Sequence, residues 1–202
     1  MSRTARMERT TRETRIELEL NLDGAGESEV KTGIPFFDHM LSQVAKHGIF
    51  DLRVKAEGDT EVDDHHTVED VGICLGGALQ RTLGDKAGIR RYGSALSPMM
   101  DSLARVALDL SGRPSLFYRC AFTAARVGKF DLQLVEEFFT AFSSSGGVDL
   151  HIEVLHGSNA HHMVESVFKG FGRALCEAVS PDERRQGGAE GCSGGIARIA
   201  VE

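Results

Sequence analysis

Two short stretches carry side chains able to do chemistry together: His65-His66-Thr67-Val68-Glu69 and His161-His162-Met163-Val164-Glu165. Both read His-His-x-x-Glu, and an apolar-periodic segment follows each. On a helix, residues three and four apart share a face. Glu69 therefore stands one turn beyond His65 and His66, and Glu165 one turn beyond His161 and His162. Histidine is the commonest transition-metal ligand, and mixed histidine–carboxylate sets suit manganese, iron or zinc. One such copy would read equally well as the solvated start of a helix; two copies with the same spacing point to metal. In the His-Glu-x-x-His pattern of zinc proteases the glutamate lies between the histidines as a general base. Here it follows them, where it can be a third ligand.

The elements that must position these side chains follow from periodicity. Ile16 to Leu22 alternates apolar and polar, a half-buried strand. Asp23-Gly24-Ala25-Gly26 is a turn signal, with Ser28 to Thr32 as the expected hairpin partner. Pro35 suits the first turn of a helix. Phe37, Met40, Leu41, Val44 and Ala45 form its inner face, and Gly48 stops it. Phe50 to Ala56 alternates again, and Gly58 to Asp64 is an acidic loop before a helix to about Leu83. The second half repeats the order. Ala104 to Leu110 is a strand, Leu116 to Phe122 its hairpin return, Leu132 to Phe142 a helix, Val148 to Val154 a strand, and His161 opens a helix to about Val179. Each half is strand, strand, helix, strand, helix. The expected fold class is α+β, an internal duplication in which each small sheet carries helices on one face. Residues 1–11 read as a flexible arm, 12–91 and 92–182 as the two halves, and 183–202 as a Gly-rich tail.

The repeat singles out two more residues. Aligning Asp51-Leu52-Arg53-Val54 with Asp149-Leu150-His151-Ile152 sets His39 opposite Glu137. The full set is then His39, His65, His66, Glu69, Glu137, His161, His162 and Glu165, too many for one ion and suited to two with open positions. Without the repeat, His39 would read equally as a core histidine, and Glu137 as a solvated helix residue. His47 precedes Gly48 at a helix end, where a cation is favoured; its nearness to His39 leaves its role open. His151 and His156 read as structural or exposed.

Composition bounds the function. The chain has 202 residues, enough for a sizeable core, with 41% hydrophobic and 26% charged residues, as in soluble globular proteins. No apolar run reaches the roughly 18 residues of a membrane helix. Met1 to Arg15 lacks the apolar stretch of a secretory signal. Cys74, Cys120, Cys176 and Cys192 have no CxxC spacing and read as reduced thiols of a cytoplasmic protein. The net charge of −7 argues against a nucleic-acid partner. It leaves room for a local cationic cluster that takes a small anion.

Four ordered stretches closely resemble the imidazoleglycerol-phosphate dehydratases of histidine biosynthesis: Phe36-Phe37-Asp38-His39-Met40-Leu41, Asp64-His65-His66-Thr67-Val68-Glu69-Asp70, Asp109-Leu110-Ser111-Gly112-Arg113-Pro114 and His161-His162-Met163-Val164-Glu165. The resemblance runs from about Arg12 into the tail, and the length leaves no room for the phosphatase domain of the family's bifunctional form. It implies a two-copy sheet-and-helix fold and a hollow shell of twenty-four subunits around paired Mn2+ ions. It places the active sites between subunits and gives as substrate an imidazole bearing a dihydroxypropyl phosphate. Water is removed to give the acetol phosphate. The proton lost is not beside a carbonyl and is barely acidic. Metals on the ring nitrogens can stabilise imidazolate, which expels the hydroxyl to give a diazafulvene. By resemblance Glu13 then takes the adjacent proton, with Glu165 the second choice. Resemblance also sets Glu13, His39 and His47 against the substrate, and gives Arg91, Arg113, Lys169 and Ser193 as the phosphate clamp.

Two departures from the family pattern stand out. Glu137 occupies a place where the family often has histidine, and Cys192-Ser193-Gly194-Gly195 lacks the lysine of the usual tail. Two other functions compete: a dinuclear hydrolase, in which Glu13 and the cationic residues are dispensable, and a non-catalytic metal-binding assembly.

Overall fold

The computed structural model describes residues 3–185. Residues 4–10, read from sequence as part of a flexible arm, instead form strand β1 (Thr4–Thr10). It pairs antiparallel with β2 (Thr14–Asn21). Then come β3 (Ser28–Lys31), α1 (Pro35–Gly48), β4 (Asp51–Gly58) and α2 (His65–Leu83). The second half gives β5 (Tyr92–Met99), β6 (Ser102–Asp109), β7 (Ser115–Arg119), a small ribbon of β8 (Arg126–Val127) and β9 (Phe130–Asp131), α3 (Gln133–Gly146), β10 (Asp149–His156) and α4 (Ala160–Val179). The sheets have orders β1-β2-β4-β3 and β5-β6-β10-β7. Each has two antiparallel pairings and a parallel pairing at its last edge. This is an α+β duplication, with one more strand in each four-stranded sheet than the three expected, and the β8–β9 ribbon besides.

That extra strand was hidden by its side chains. The inward positions of β5 are Gly93, Ala95 and Ser97, too small to mark an apolar stripe. Small size is required there: a Cβ on Gly93 would lie 1.9 Å from the Ala174 carbonyl oxygen of α4. In β1 the corresponding positions are Ala5, Met7 and Arg9, half-buried.

The expected hairpins also differ. β3 pairs with β4 in parallel, not with β2, and β7 pairs with β10 in parallel, not with β6. The Asp23–Gly26 segment does not fold back because the start of β4 captures it. Asp51 Oδ1 accepts from Ala25 N–H at 2.8 Å and Glu27 N–H at 3.2 Å, and Leu52 N–H donates to Glu27 O at 2.9 Å. The hairpins that do form are β1–β2, β5–β6 and the short β8–β9 ribbon.

Each sheet carries its own helices on its inner face, and helices of opposite halves meet in the middle: α1 against α4, α2 against α3. A Cβ on Gly172 of α4 would lie 2.7 Å from Val44 O of α1, and one on Gly76 of α2 would lie 2.5 Å from Phe142 O of α3. These are equivalent contacts in the repeat, so the two pairs cross alike, at backbone distance. Phe37, Phe138, Phe139, Phe142, Phe168 and Phe171 fill the space between, all fully buried. Phe138 and Phe168 stack at 5.5 Å, and Phe139 meets Phe171 edge-on at 5.1 Å.

Candidate metal centre

The cross-pairing of helices brings candidate ligands from the two halves together. His39 on α1 meets His161 and Glu165 on α4, and one ligand atom of each lies within 4.8 Å of the other two. His161 Nε2 is 3.1 Å from Glu165 Oε2, and His39 Nε2 is 3.7 Å from the same oxygen. Ligands about 2.1 Å from one ion stand about 3 Å apart, so this donor set fits a metal with a small closing movement. Glu165 is buried while both imidazoles are over 40% exposed, which leaves a side open for further ligands or substrate. Lys169, one turn on, holds Glu165 Oε1 at 2.6 Å and lies 3.3 Å from Met99 Sδ. Burial alone would raise the Glu165 pKa; the Lys169 hydrogen bond and charge, with His39 and His161, outweigh it and hold the carboxylate below its ordinary value.

The counterpart set lies on α2 and α3. His65, His66 and Glu69 occupy the first turns of α2, and Glu137 the second turn of α3. His65 and His66 have ring centroids 6.1 Å apart at 87°, and His161 and His162 repeat this at 6.1 Å and 79°. The helix starts are thus near copies. The clusters differ across the helix pair: among the described residues, His39, His161 and Glu165 are the one three-ligand group drawn together. Glu69 and Glu137 have no ion-pair partner among them.

Each second histidine is held by an aspartate from outside its helix. His66 Nδ1 is 3.0 Å from Asp59 Oδ2, and His162 Nδ1 is 2.6 Å from Asp101 Oδ1. Such partners leave Nε2 to face a metal. Asp59 raises the His66 pKa through its hydrogen bond, with smaller contributions from Glu13 and Asp63. His162 and the Ser158 and Asn159 donors hold Asp101 far below the usual carboxylate range. Spacing along the chain did not reveal these aspartates, because both come from loops.

The remaining candidates separate into two ends of the molecule. Glu13 is exposed in the turn before β2, and its carbonyl accepts from Asp59 N–H at 3.1 Å, which sets it beside His66. His47, in the last turn of α1, has its pKa lowered first by burial and then by the Lys169 charge. Arg91 lies elsewhere: its N–H donates to Ala178 O at the far end of α4. Ala178 is thirteen residues beyond Glu165, about 20 Å along a helix. Arg91 is paired with Asp109 at 2.6 and 2.9 Å and packs over Tyr92. Arg113 is exposed after Gly112, a glycine at φ 81°. Lys86, not singled out from sequence, joins this end: its Nζ would lie 3.8 Å from a Cβ on Gly112. Burial lowers its pKa, and Arg91 adds to the shift. Its only sequence signal was a cation inside a glycine-bounded loop. Ser193 lies outside the described residues.

No helix among the described residues is long and apolar enough to cross a membrane. Among the described residues, Cys74, Cys120 and Cys176 form no disulfide. The family model for imidazoleglycerol-phosphate dehydratase matches residues 32–175. The Halorhodospira halophila protein of that name is 59% identical over 185 residues, 92% of this chain and 94% of that one. The Aromatoleum aromaticum protein is 54% identical over 194 residues, 96% and 100% of the two chains. Among solved structures, the imidazoleglycerol-phosphate dehydratase of Staphylococcus aureus superposes with a TM-score of 0.81 at 37% identity, covering 89% of this chain and 99% of that one. The enzyme of Pyrococcus furiosus gives 0.77 at 36%, covering 89% and 97%. The chain belongs to the imidazoleglycerol-phosphate dehydratase family, hydro-lyases of histidine biosynthesis.

Proposed function

We propose that this chain dehydrates D-erythro-imidazoleglycerol phosphate to imidazoleacetol phosphate at a pair of Mn2+ ions, in sites completed between copies of the chain. The observation that carries the reading is the meeting of His39, His161 and Glu165 across α1 and α4. His65, His66, Glu69 and Glu137 would hold the second ion, with His162 as a further ligand. The metals would supply Lewis acidity toward the imidazole ring of the substrate.

The chain's own groups supply the rest. The hydroxyl on the carbon next to the ring takes up a proton and leaves as water, and the neighbouring C–H loses its proton to Glu13. The enol formed gains a proton on the former hydroxyl carbon, gives up its O–H proton and becomes the ketone. This is the diazafulvene route expected from the resemblance. Glu13 stands beside the Asp59–His66 pair, so a base lies next to one ligand set. Glu165, a ligand in this reading, is the second candidate for proton transfer. Lys169 and His47 line the α1–α4 end near Glu165.

Arg91 and Arg113 belong to the phosphate clamp, with Ser193 from the tail. The separation of Arg91 from Glu165 along α4 supports a clamp supplied by a neighbouring copy. The count of twenty-four subunits rests on the family resemblance, and unpaired thiols suit a cytoplasmic setting.

Turnover of imidazoleglycerol phosphate by Mn-loaded protein tests the reading, with Glu13→Gln beside it. The variant is expected to lose about 10²- to 10⁴-fold in kcat, the usual weight of a general base. Metal binding without turnover in the wild type would sink the enzymatic reading.

A further inference from the structure

We propose that Asp101 is a positioning residue that fixes the tautomer of His162, so that its Nε2 presents a bare lone pair to the metal. The proposal rests on the metal reading above. Asp101 sits in the tight turn between β5 and β6, next to Met100, whose φ is 53°. Its Oδ2 is fully engaged: it accepts from Ser158 N–H at 2.6 Å, Ser158 O–H at 2.7 Å and Asn159 N–H at 3.0 Å. Its Oδ1 faces His162 Nδ1 at 2.6 Å. The backbone under the histidines is fixed by the same loop, since Asn159 Oδ1 accepts from His161 N–H at 2.9 Å and His162 N–H at 3.3 Å.

An ionised carboxylate only accepts, so the ring hydrogen must sit on Nδ1. A neutral imidazole then has its lone pair on Nε2, the nitrogen a metal would take. Three donors on Oδ2 mean that the carboxyl group cannot turn.

The other half gives a control. His66 Nδ1 lies 3.2 and 3.0 Å from the two oxygens of Asp59, so the same tautomer is favoured. The Asp59 carboxylate makes no other side-chain hydrogen bond among the described residues. It is free to turn.

The two sites should therefore answer differently to asparagine. In Asp101→Asn the three loop donors keep the amide oxygen where Oδ2 was. The NH2 then points at His162 Nδ1, which must accept, and the ring hydrogen moves to Nε2. In Asp59→Asn the amide can turn its oxygen toward His66, and the tautomer stays.

The experiment uses full-length protein carrying 15N-labelled histidine side chains. Solid-state 15N spectra are taken without metal, with His162 identified by its loss in His162→Gln, and Mn2+ binding is then titrated by calorimetry. The wild type is expected to show Nδ1–H at His162. Asp101→Asn is expected to show Nε2–H and at least about tenfold weaker Mn2+ binding, while Asp59→Asn shifts affinity by less than about threefold. Asp101→Ala removes the loop anchor without adding a donor and is expected to lose less affinity than Asp101→Asn. An Nε2–H tautomer in the wild type overturns the proposal without any variant. So does Asp101→Asn that keeps Nδ1–H, or Asp101→Ala that binds as weakly as Asp101→Asn. A wild type that binds no Mn2+ defeats the metal reading, and the spectra still decide the role of Asp101.

Discussion

One residue past each glutamate of the repeated motif, the two halves tie the ligand-bearing helix to its sheet with different chemistry. On α2, buried Asp70 accepts from Arg9 Nε of β1 at 2.8 Å and from the Thr14 hydroxyl of β2. On α4 the equivalent residue is Ser166, which meets Ser102 of β6 at 3.1 Å and donates to Met163 O at 2.7 Å. Arg9, Thr14 and Asp70 in one half answer to Ser97, Ser102 and Ser166 in the other. Both halves place a polar tie at this level of the helix, and only one of the two is charged. What decides the chemistry is how closely the helix lies on its first strand. Gly93 lets α4 settle onto β5, and the small side chains of Ser97 and Ser102 are buried beneath it. Over β1 there is room for Arg9, whose side chain reaches water at 39% exposure.

The comparison breaks most readily at Gly93. Gly93→Ala sets a methyl against a backbone oxygen that has no rotamer to escape by. A loss of about 3 kcal/mol in urea unfolding is expected, the upper range for overpacking. A loss under 1 kcal/mol would mean that α4 is not held close. Next comes Asp70→Ala. Removing one partner of a buried ion pair costs about 3–5 kcal/mol, and the partial exposure of Arg9 discounts this to about 2 kcal/mol. Ser166→Ala loses only a neutral hydrogen bond, about 1 kcal/mol. Equal losses for Asp70→Ala and Ser166→Ala would show that the ion pair contributes nothing beyond the neutral tie.

The smallest effect concerns His47, which has no histidine counterpart in α3. Its pKa lies below 6.5, chiefly through burial and then through Lys169, Lys46 and Arg173. The unfolded chain therefore takes up this proton more readily than the folded one. Stability should fall as pH drops from the ordinary histidine value through the lowered one, and stay level above it. Melting curves at about pH 5 and pH 8 should converge slightly in His47→Gln. An unchanged gap between the two would remove His47 from the acid limb.

Legibility from sequence followed side-chain size and locality. α1, α2 and α4 were readable because large apolar residues recur on one face between clear stops: Pro35 and Gly48, His65 and Gly84, His161 and Ser180. β2, β4, β6 and β10 alternate strongly for the same reason. β5 escaped because the face it buries is small or polar, and β1 because its inward face of Ala5, Met7 and Arg9 is mixed and only half-buried. The parallel edges escaped because a turn signal says where a chain bends and not which strand it meets; Asp51 settled that for β3. At the candidate site, the histidines and glutamates stood out through repetition along the chain. Asp59, Asp101 and Lys86 did not, since they stand in loops that meet the rest of these residues only in the folded chain.

The crossing of helices between halves bears on how such a chain could have arisen. Neither half holds a complete cluster: His39 comes from one, and His161 and Glu165 from the other. Two copies of a single half, related by a twofold axis, would meet through the same glycine-lined helix contacts and form two identical clusters. The ligand set would then be older than the joining of the two genes. Fusion would have freed the halves to drift apart, and the glutamate at position 137, opposite a histidine at position 39, is the mark such drift would leave.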